Sequence, residues 1–462
     1  MTKKPSHRRE EYKHLVSLAA ALVLMGMLTL LFANTWYTHY AGDIVLPFYR
    51  RGNWVVIVLY TALLFLFFKV YGGLQVGYLR RTDVLFSQIL AVFSSNILVY
   101  FQVSLIARNA VHPRPLLLMT LIELVVVVCW TLLAQRLYFA LYPPRRLIIV
   151  YGSRAAAALV IKMSYRVDKY MICESISADE DYAQITDKLL QYDGVIIQDI
   201  PPRMRNDLLK FCFDHKMRAY IVPKVSDIIL RGAQDIRLFD TPLLLCRNYG
   251  LTFEQRIIKR IFDIVFSLVM LVLCSPVMLV CAAAIKLCDG GPVLYRQERL
   301  TRGGKPFFCC KFRSMVPDAE KHGAQLAEEH DSRVTPVGRV LRRFRLDELP
   351  QLFNILKGDM SVVGPRPERP ELAAKYEEEF PEFRFRLRVK AGLTGYAQVT
   401  GVYDTSPYDK LRMDLMYIER YSLFRDIEII LMTLKSGVFL PQKSNAELLS
   451  PEYAEETEKE DA

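Results

Sequence analysis

Between Arg342 and Met360 the chain reads R-R-F-R-L-D-E-L-P-Q-L-F-N-I-L-K-G-D-M, and at its centre two carboxylates, Asp347 and Glu348, stand side by side. Leu349, Leu352, Phe353 and Leu356 follow at helical spacing, and Lys357-Gly358 reads as a stop. The pattern places Asp347 at or beside a helix N-cap, where free backbone N–H groups and the helix dipole favour an anion and keep the acid ionised. The same setting attracts phosphate groups. Arg342, Arg343 and Arg345 lie just upstream, and Gly364-Pro365-Arg366-Pro367 just downstream. Two acids among arginines fit a negatively charged substrate bound with a divalent metal. An N-capping Asp in a basic surface loop fits the same residues, and this stretch alone does not separate the two.

A second cluster lies at 307–315, F-F-C-C-K-F-R-S-M, where Lys311 and Arg313 flank Phe312 as on a strand with one charged and one apolar face. Such a pair can clamp phosphate oxygens or simply line a solvated strand.

The elements that must position these groups begin in a membrane. The 462 residues allow two or three domains, and the 52% hydrophobic content is concentrated in the first 142 residues and around 261–287. A net charge of +11 is spread beside the apolar segments, which fits anionic lipid and phosphorylated substrates rather than nucleic acid. Nine cysteines show no paired metal spacing, so reduced thiols are expected, with neither disulfide framework nor zinc site.

Apolar runs at 15–33, 54–71, 84–106 and 116–141 are each long enough to cross a hydrocarbon core of about 30 Å. The basic N-terminus, Lys69/Arg80/Arg81 and Arg136/Arg145/Arg146 orient them with both chain ends at the cytoplasm. Trp36, Tyr37, Tyr40, Trp54 and Tyr138 fall where interfacial aromatics are expected. No charge is expected deep in these runs, Glu123 being nearest at one to two turns in. An anchor or partner surface is therefore expected rather than a transport path.

From Arg145 the rhythm becomes α/β. Strands are expected at 147–151, 171–176, 194–198 and 219–223, with helices at 154–165, 181–192 and 203–216. This alternation predicts a parallel, Rossmann-like sheet, but only Gly152 stands near the first turn, so no dinucleotide site is expected. The module at 145–250 reads as structural or regulatory.

Residues 256–287 are apolar between basic ends, Arg256/Lys259/Arg260 and Lys286, with Ser275-Pro276 at the midpoint. One straight helix over 264–285 would be about 33 Å long, enough to span. Basic residues at both ends and a mid-helix proline instead predict a re-entrant helix, broken at Ser275-Pro276, that enters and leaves on the cytoplasmic side.

The hairpin with Ser275-Pro276, K-F-R-S-M at 311–315, L-D-E-L-P-Q-L at 346–352, V-V-G-P-R-P at 362–367 and A-G-L-T-G at 391–395 together resemble the bacterial sugar transferase family of monotopic polyprenyl-phosphate phosphoglycosyl transferases. The likeness covers about 253–440 and is similar to long-form members with four N-terminal crossings and a degenerate Rossmann-like module. Ala391 departs from the family, which usually has Pro there.

The resemblance implies a membrane α/β protein. A four-helix transmembrane bundle (1–142) precedes the degenerate Rossmann-like module (145–250), then a re-entrant hairpin (256–287) within a small α/β catalytic domain (253–440), and a disordered acidic tail (444–462). It implies transfer of a sugar-1-phosphate from a UDP-sugar to undecaprenyl phosphate with release of UMP, opening exopolysaccharide, capsule or O-antigen synthesis. Asp347 would be the nucleophile, forming an aspartyl-phosphosugar, with Glu348 in support and both acids holding Mg²⁺. Lys311, Arg313, Arg342 and Arg366 would hold phosphate oxygens. Location in the bacterial cytoplasmic membrane, catalytic domain inward, contact with membrane lipids and a homodimer also follow, with no nucleic-acid partner. A membrane glycosyltransferase releasing UDP is the alternative. No motif specifies the sugar.

Overall fold

The computed structural model describes residues 12–42, 50–152, 157–164, 166–246, 250–316, 331, 333–401 and 405–439. The acidic stretch 444–462 lies outside them. The chain divides into two compact units at Val222/Pro223.

The first unit opens with four apolar helices, α1 (Lys13–Thr35), α2 (Arg50–Tyr71), α3 (Arg81–Ala107) and α4 (Arg114–Leu141), each within a segment long and apolar enough to cross a membrane. Their outward faces are bare aliphatic chains such as Leu30, Val58, Leu105 and Leu121. Their inward faces carry the polar groups. Glu123 is fully buried and accepts from Tyr60 Oη at 2.6 Å and Asn96 Nδ2 at 2.7 Å, tying α2, α3 and α4 together. A carboxyl group tolerates such burial when both oxygens find donors. Trp36 and Tyr40 also turn inward rather than to an interface, Trp36 donating to Asn53 at 3.0 Å.

A parallel four-stranded sheet follows, built from β1 (Arg145–Tyr151), β2 (Tyr170–Ser177), β3 (Gly194–Gln198) and β4 (Arg218–Ile221) in the order β2-β1-β3-β4. Between the strands run α5 (Ala157–Ser164), α6 (Tyr182–Leu189) and α7 (Pro202–Asp214). Ile148, Val150, Val195 and Ile197 meet α6 and α7 on one face, while Leu147, Ile149 and Ile196 meet α5 on the other. Burial on both faces explains the unbroken aliphatic runs of β1 and β3. Gly152 closes β1 where the chain touches the Asp199 carbonyl, and any Cβ would overlap it.

The second unit starts with α8 (Val225–Arg231), whose Val225 and Ile228 join its main core, and an exposed antiparallel hairpin, β5 (Gln234–Leu238) and β6 (Thr241–Leu245). Residues 223–250 thus belong with this unit. Then comes α9, a single 37-residue helix from Phe253 to Asp289. A reciprocal cap starts it: Thr252 N donates to Gln255 Oε1 and Gln255 N donates to Thr252 Oγ1. Gly290, at φ 70°, ends it.

The helix-break-helix expected at Ser275-Pro276 is not seen, since Pro276 sits inside the continuous helix. Proline removes the N–H that would bond the Val272 carbonyl, and Ser275 Oγ donates to that carbonyl at 2.9 Å instead. The neighbouring serine supplies what the proline withholds.

The remaining elements are short. They are β7 (Leu294–Leu300) antiparallel to β8 (Pro306–Phe312), α10 (Pro336–Arg343), α11 (Gln351–Lys357), β9 (Ser361–Val363), α12 (Pro370–Glu379), β10 (Gly392–Thr394), α13 (Tyr396–Thr400), α14 (Pro407–Glu419) and α15 (Leu423–Phe439). The V-V-G-P-R-P and A-G-L-T-G motifs are neighbours in space: β9 pairs in parallel with β10, Ser361 opposite Gly392 and Val363 opposite Thr394. Gly364 and Gly392 pass backbone to backbone there, and a Cβ on either would collide with main chain.

Candidate active site

Asp347 and Glu348 lie in a 3₁₀ turn, Leu346–Glu348, that follows Arg345 in the left-handed conformation (φ 54°). The expectation of an N-cap Asp is corrected, because α11 begins only at Gln351, with Pro350 as its cap. The stop at Lys357-Gly358 is as expected, Gly358 having φ 102°.

Glu348 Oε1 accepts from Lys311 Nζ and from Arg366 Nη2, both at 3.2 Å. Burial pushes this carboxyl up, but the charges of Arg366, Lys311 and Arg345 outweigh it and hold it at about 2. Asp347 is pushed the other way, to about 6, by burial and by the neighbouring Glu348 charge, against the pull of Lys311, Arg342 and Arg366. The ionised anchor is therefore Glu348. Asp347, expected to be kept ionised by a helix terminus, instead carries the basicity of an acid partly stripped of water.

Three of the four predicted cations converge on this pair and one does not. Lys311 and Arg366 bind Glu348 directly, and Arg342 acts on Asp347 through space while its Nε donates to Ser314 Oγ at 2.8 Å. Arg313 faces away, buried against Asp289 at the end of α9 and donating through Nε to the Pro292 carbonyl at 2.7 Å. Ser275 and Pro276 belong to α9 and contribute to its backbone, as described.

The supporting residues were not read from the sequence. Asn354 on α11 accepts from Cys310 N at 2.9 Å and donates to Phe308 O at 2.8 Å, locking the helix to β8 and so Lys311 to Glu348. Arg366 is steadied behind by Arg386, whose guanidinium binds the Arg366 carbonyl at 3.0 Å, Asp414 at 2.8 Å and Glu368 at 3.3 Å. Burial pushes the Asp414 carboxyl up to about 6 against the pull of Arg386. Asp263 on α9 accepts from Ser361 Oγ (3.0 Å) and Val362 N (2.9 Å), fixing the strand that leads to Arg366. Lys259, also on α9, is buried against Asp426 at 2.6 Å. Ala391, where the family resemblance leads one to expect proline, uses its N–H to bond Thr301 Oγ1 at 3.3 Å. Of these, only the T-F-E-Q capping box at 252–255 had a sequence signal, and it would have set the start of α9.

The geometry offers a basic carboxylate beside a fixed one, ringed by cations, which suits attack on a phosphorus centre whose oxygens those cations neutralise. Among the described residues no cluster of three or more His, Cys, Asp or Glu exists. Two adjacent oxygen donors are the set a Mg²⁺ ion uses when substrate phosphates and water fill its other positions, so the residues fit one.

Comparison with known proteins gives a family match that spans these residues. The family model described as "Bacterial sugar transferase" matches residues 254–439. An Aeromonas hydrophila UDP-N-acetylgalactosamine-undecaprenyl-phosphate N-acetylgalactosaminephosphotransferase is 43% identical over 182 residues, 39% of this chain and 43% of that protein. A UDP-glucose:undecaprenyl-phosphate glucose-1-phosphate transferase of Escherichia coli (strain K12) is 40% identical over 214 residues, 45% of this chain and 44% of that protein. The match thus spans less than half the length of these two relatives. It takes in 73% of a Bacillus subtilis (strain 168) protein named as a putative undecaprenyl-phosphate N-acetylgalactosaminyl 1-phosphate transferase, at 53% identity over 130 residues. The motifs, the paired acids within their basic ring and these likenesses lead to one conclusion: the chain belongs to the bacterial sugar transferase family.

Proposed function

We propose that this protein transfers a sugar-1-phosphate from a UDP-sugar to undecaprenyl phosphate, releasing UMP, as the opening step of an exopolysaccharide, capsule or O-antigen pathway. The observation that carries the reading is the geometry of the dyad, with Glu348 Oε1 held by Lys311 Nζ and Arg366 Nη2 at 3.2 Å beside Asp347.

Asp347 Oδ attacks the sugar-bearing phosphorus, forming a carboxyl–phosphate bond as the bond to the UMP phosphate breaks and UMP leaves. The phosphate oxygen of the lipid then attacks the same phosphorus, the carboxyl–phosphate bond breaks, and Asp347 is restored. Two phosphate substrates thereby use one site in turn. Arg366 and Lys311 hold Glu348 and offer their remaining N–H groups to phosphate oxygens, and Arg342 adds positive potential at Asp347. Asp347 and Glu348 would hold Mg²⁺, which would supply charge neutralisation at the diphosphate.

In this reading the four N-terminal helices form a bundle that anchors the enzyme in the cytoplasmic membrane, and the parallel sheet is a non-catalytic Rossmann-like module. The α9 helix seats the site at the cytoplasmic surface and re-enters there, bending at Pro276 while it stays helical. Support comes from its two ends, which bind the same α/β body through Lys259–Asp426 and Asp263–Ser361 at one end and Asp289–Arg313 at the other.

The test is purified protein with undecaprenyl phosphate, Mg²⁺ and a panel of UDP-sugars, scoring the nucleotide released. UMP with one donor is expected and names the sugar. UDP would move the assignment to ordinary glycosyl transfer.

A further inference from the structure

Away from the dyad, the second unit carries a wide cleft of about 1450 Å³ between the first turns of α9, the Arg302–Gly304 turn and the segment 384–390. None of Lys311, Asp347, Glu348 or Arg366 lines it. Helix α11 separates the two places. Arg260, on the cleft side, donates to the carbonyls of Ile355 (2.6 Å) and Leu356 (2.7 Å) at the helix C-terminus, whereas the dyad precedes the N-terminus. Seven residues make that helix about 10 Å long.

The cleft is built for an anion that does not react. Arg302, Arg384 and Lys390 line it and make no hydrogen bond or ion pair with the described residues. Lys390 is held below the usual lysine range by burial and by the charges of Arg260 and Arg302, against the pull of Asp263 and Asp359. The acid nearest the floor, Asp263, is occupied by Ser361 and Val362. Two further acids, Glu254 and Glu377, line the cleft, and its cations outnumber its acids.

An apolar track leaves the cleft along one face of α9. Ile257 and Ile261 line the cleft, and Val265, Leu268 and Val272 continue from them at steps of three and four residues, all exposed. Positive charge at one end of an exposed aliphatic stripe on a membrane helix is complementary to an amphiphile with an anionic head.

We propose that this cleft is a non-catalytic site for an anionic membrane phospholipid, its phosphodiester held by Arg302, Arg384 and Lys390 and its acyl chains laid along Ile261, Val265 and Leu268. The site is separate from the proposed reaction and does not depend on it. It would fix the depth and tilt of α9, and through Asp263 the strand leading to Arg366.

Native mass spectrometry of the full-length protein, with phosphatidylglycerol or phosphatidylcholine added to the detergent solution, tests it. Wild type should retain phosphatidylglycerol preferentially. Arg302→Gln/Lys390→Gln should weaken that retention by about tenfold or more, while Arg302→Lys/Lys390→Arg should keep it. Loss in both double variants, or in neither, would overturn the proposal, as would equal retention of the two lipids. Competition by glycerol 3-phosphate would make the cleft a site for soluble anions. Displacement of phosphatidylglycerol by undecaprenyl phosphate, or its loss in Asp347→Asn, would put the lipid at the dyad. Exclusion of lipid by a second copy of the chain would make the cleft an interface. Each of these three results also overturns the proposal. Failure here leaves the UMP assay untouched, so the two readings fall separately.

Discussion

The two α/β regions solve opposite problems. In the sheet of β1–β4 the backbone pairs continuously and its centre is aliphatic, Ile148, Val150, Val195 and Ile197 being fully or almost fully buried. Among its described residues the second unit has only two-stranded pairs, and it buries charge: Lys259 with Asp426, Arg386 with Asp414, Arg313 with Asp289. A regular sheet keeps a fold with little dependence on charge. A site that must hold cations and acids at fixed distances gives up regular pairing and uses ion pairs as braces, which stabilise less and specify more.

The sharpest break is Asp347→Asn. It removes the proposed nucleophile without changing shape, and turnover should fall at least about a thousandfold while thermal unfolding stays near wild type. Turnover within a few-fold of wild type would refute the nucleophile assignment.

Next, Arg386→Met leaves Asp414 buried without its partner. A loss of about 3–5 kcal/mol is expected in denaturant titration, together with lower turnover because the Arg366 carbonyl loses its donor. That loss should shrink as pH falls toward about 6, because without Arg386 the Asp414 carboxyl, already raised by burial, takes up its proton at a higher pH still. Ile196→Ala in the first sheet should cost a similar amount, about 2–5 kcal/mol, yet leave turnover per folded molecule unchanged. Equal effects of both variants on turnover would erase the contrast.

Asn354→Ala should cost less, about 1–3 kcal/mol, since it orphans the Cys310 N–H and the Phe308 carbonyl. Its signature is a raised KM for the UDP-sugar as Lys311 loosens.

The smallest effects are in pH dependence. Asp347 must be ionised to attack, so kcat/KM should rise with pH along an acid limb centred near 6, falling about tenfold per unit below it. Glu348→Gln removes the charge that raises Asp347 and should move the limb lower. Lys311→Met removes a cation that lowers it and should move the limb higher. Shifts in the same direction would break the electrostatic account.

The sequence made some of this legible and hid the rest for physical reasons. The strands of the first sheet follow from aliphatic runs bounded by turns, because burial on both faces writes itself into composition. Asp347, Glu348, Lys311 and Arg366 were visible as unusual charge between apolar segments. Their differing roles were not, since a pKa depends on burial and on cations brought from residues 311 and 366. Arg313 matched the pattern of a phosphate ligand, and only the fold turns it toward Asp289. The break at Pro276 was read from a residue that usually breaks helices, and one hydroxyl at Ser275 reverses that outcome. Braces such as Asn354 and Arg386 carry no local signal, because their partners lie 44 and 28 residues away.

The pairing of Lys259 with Asp426 has a consequence for how the chain is made. These residues stand 167 positions apart, so at a synthesis rate of about 5–20 residues per second Lys259 waits roughly 8–33 s for its partner. During that interval α9 exists with an ammonium that cannot enter an apolar seat alone. The seat of α9 is consequently completed late: the segment carrying Asp426 lets Lys259 settle, and a nascent chain stopped before residue 426 lacks that latch.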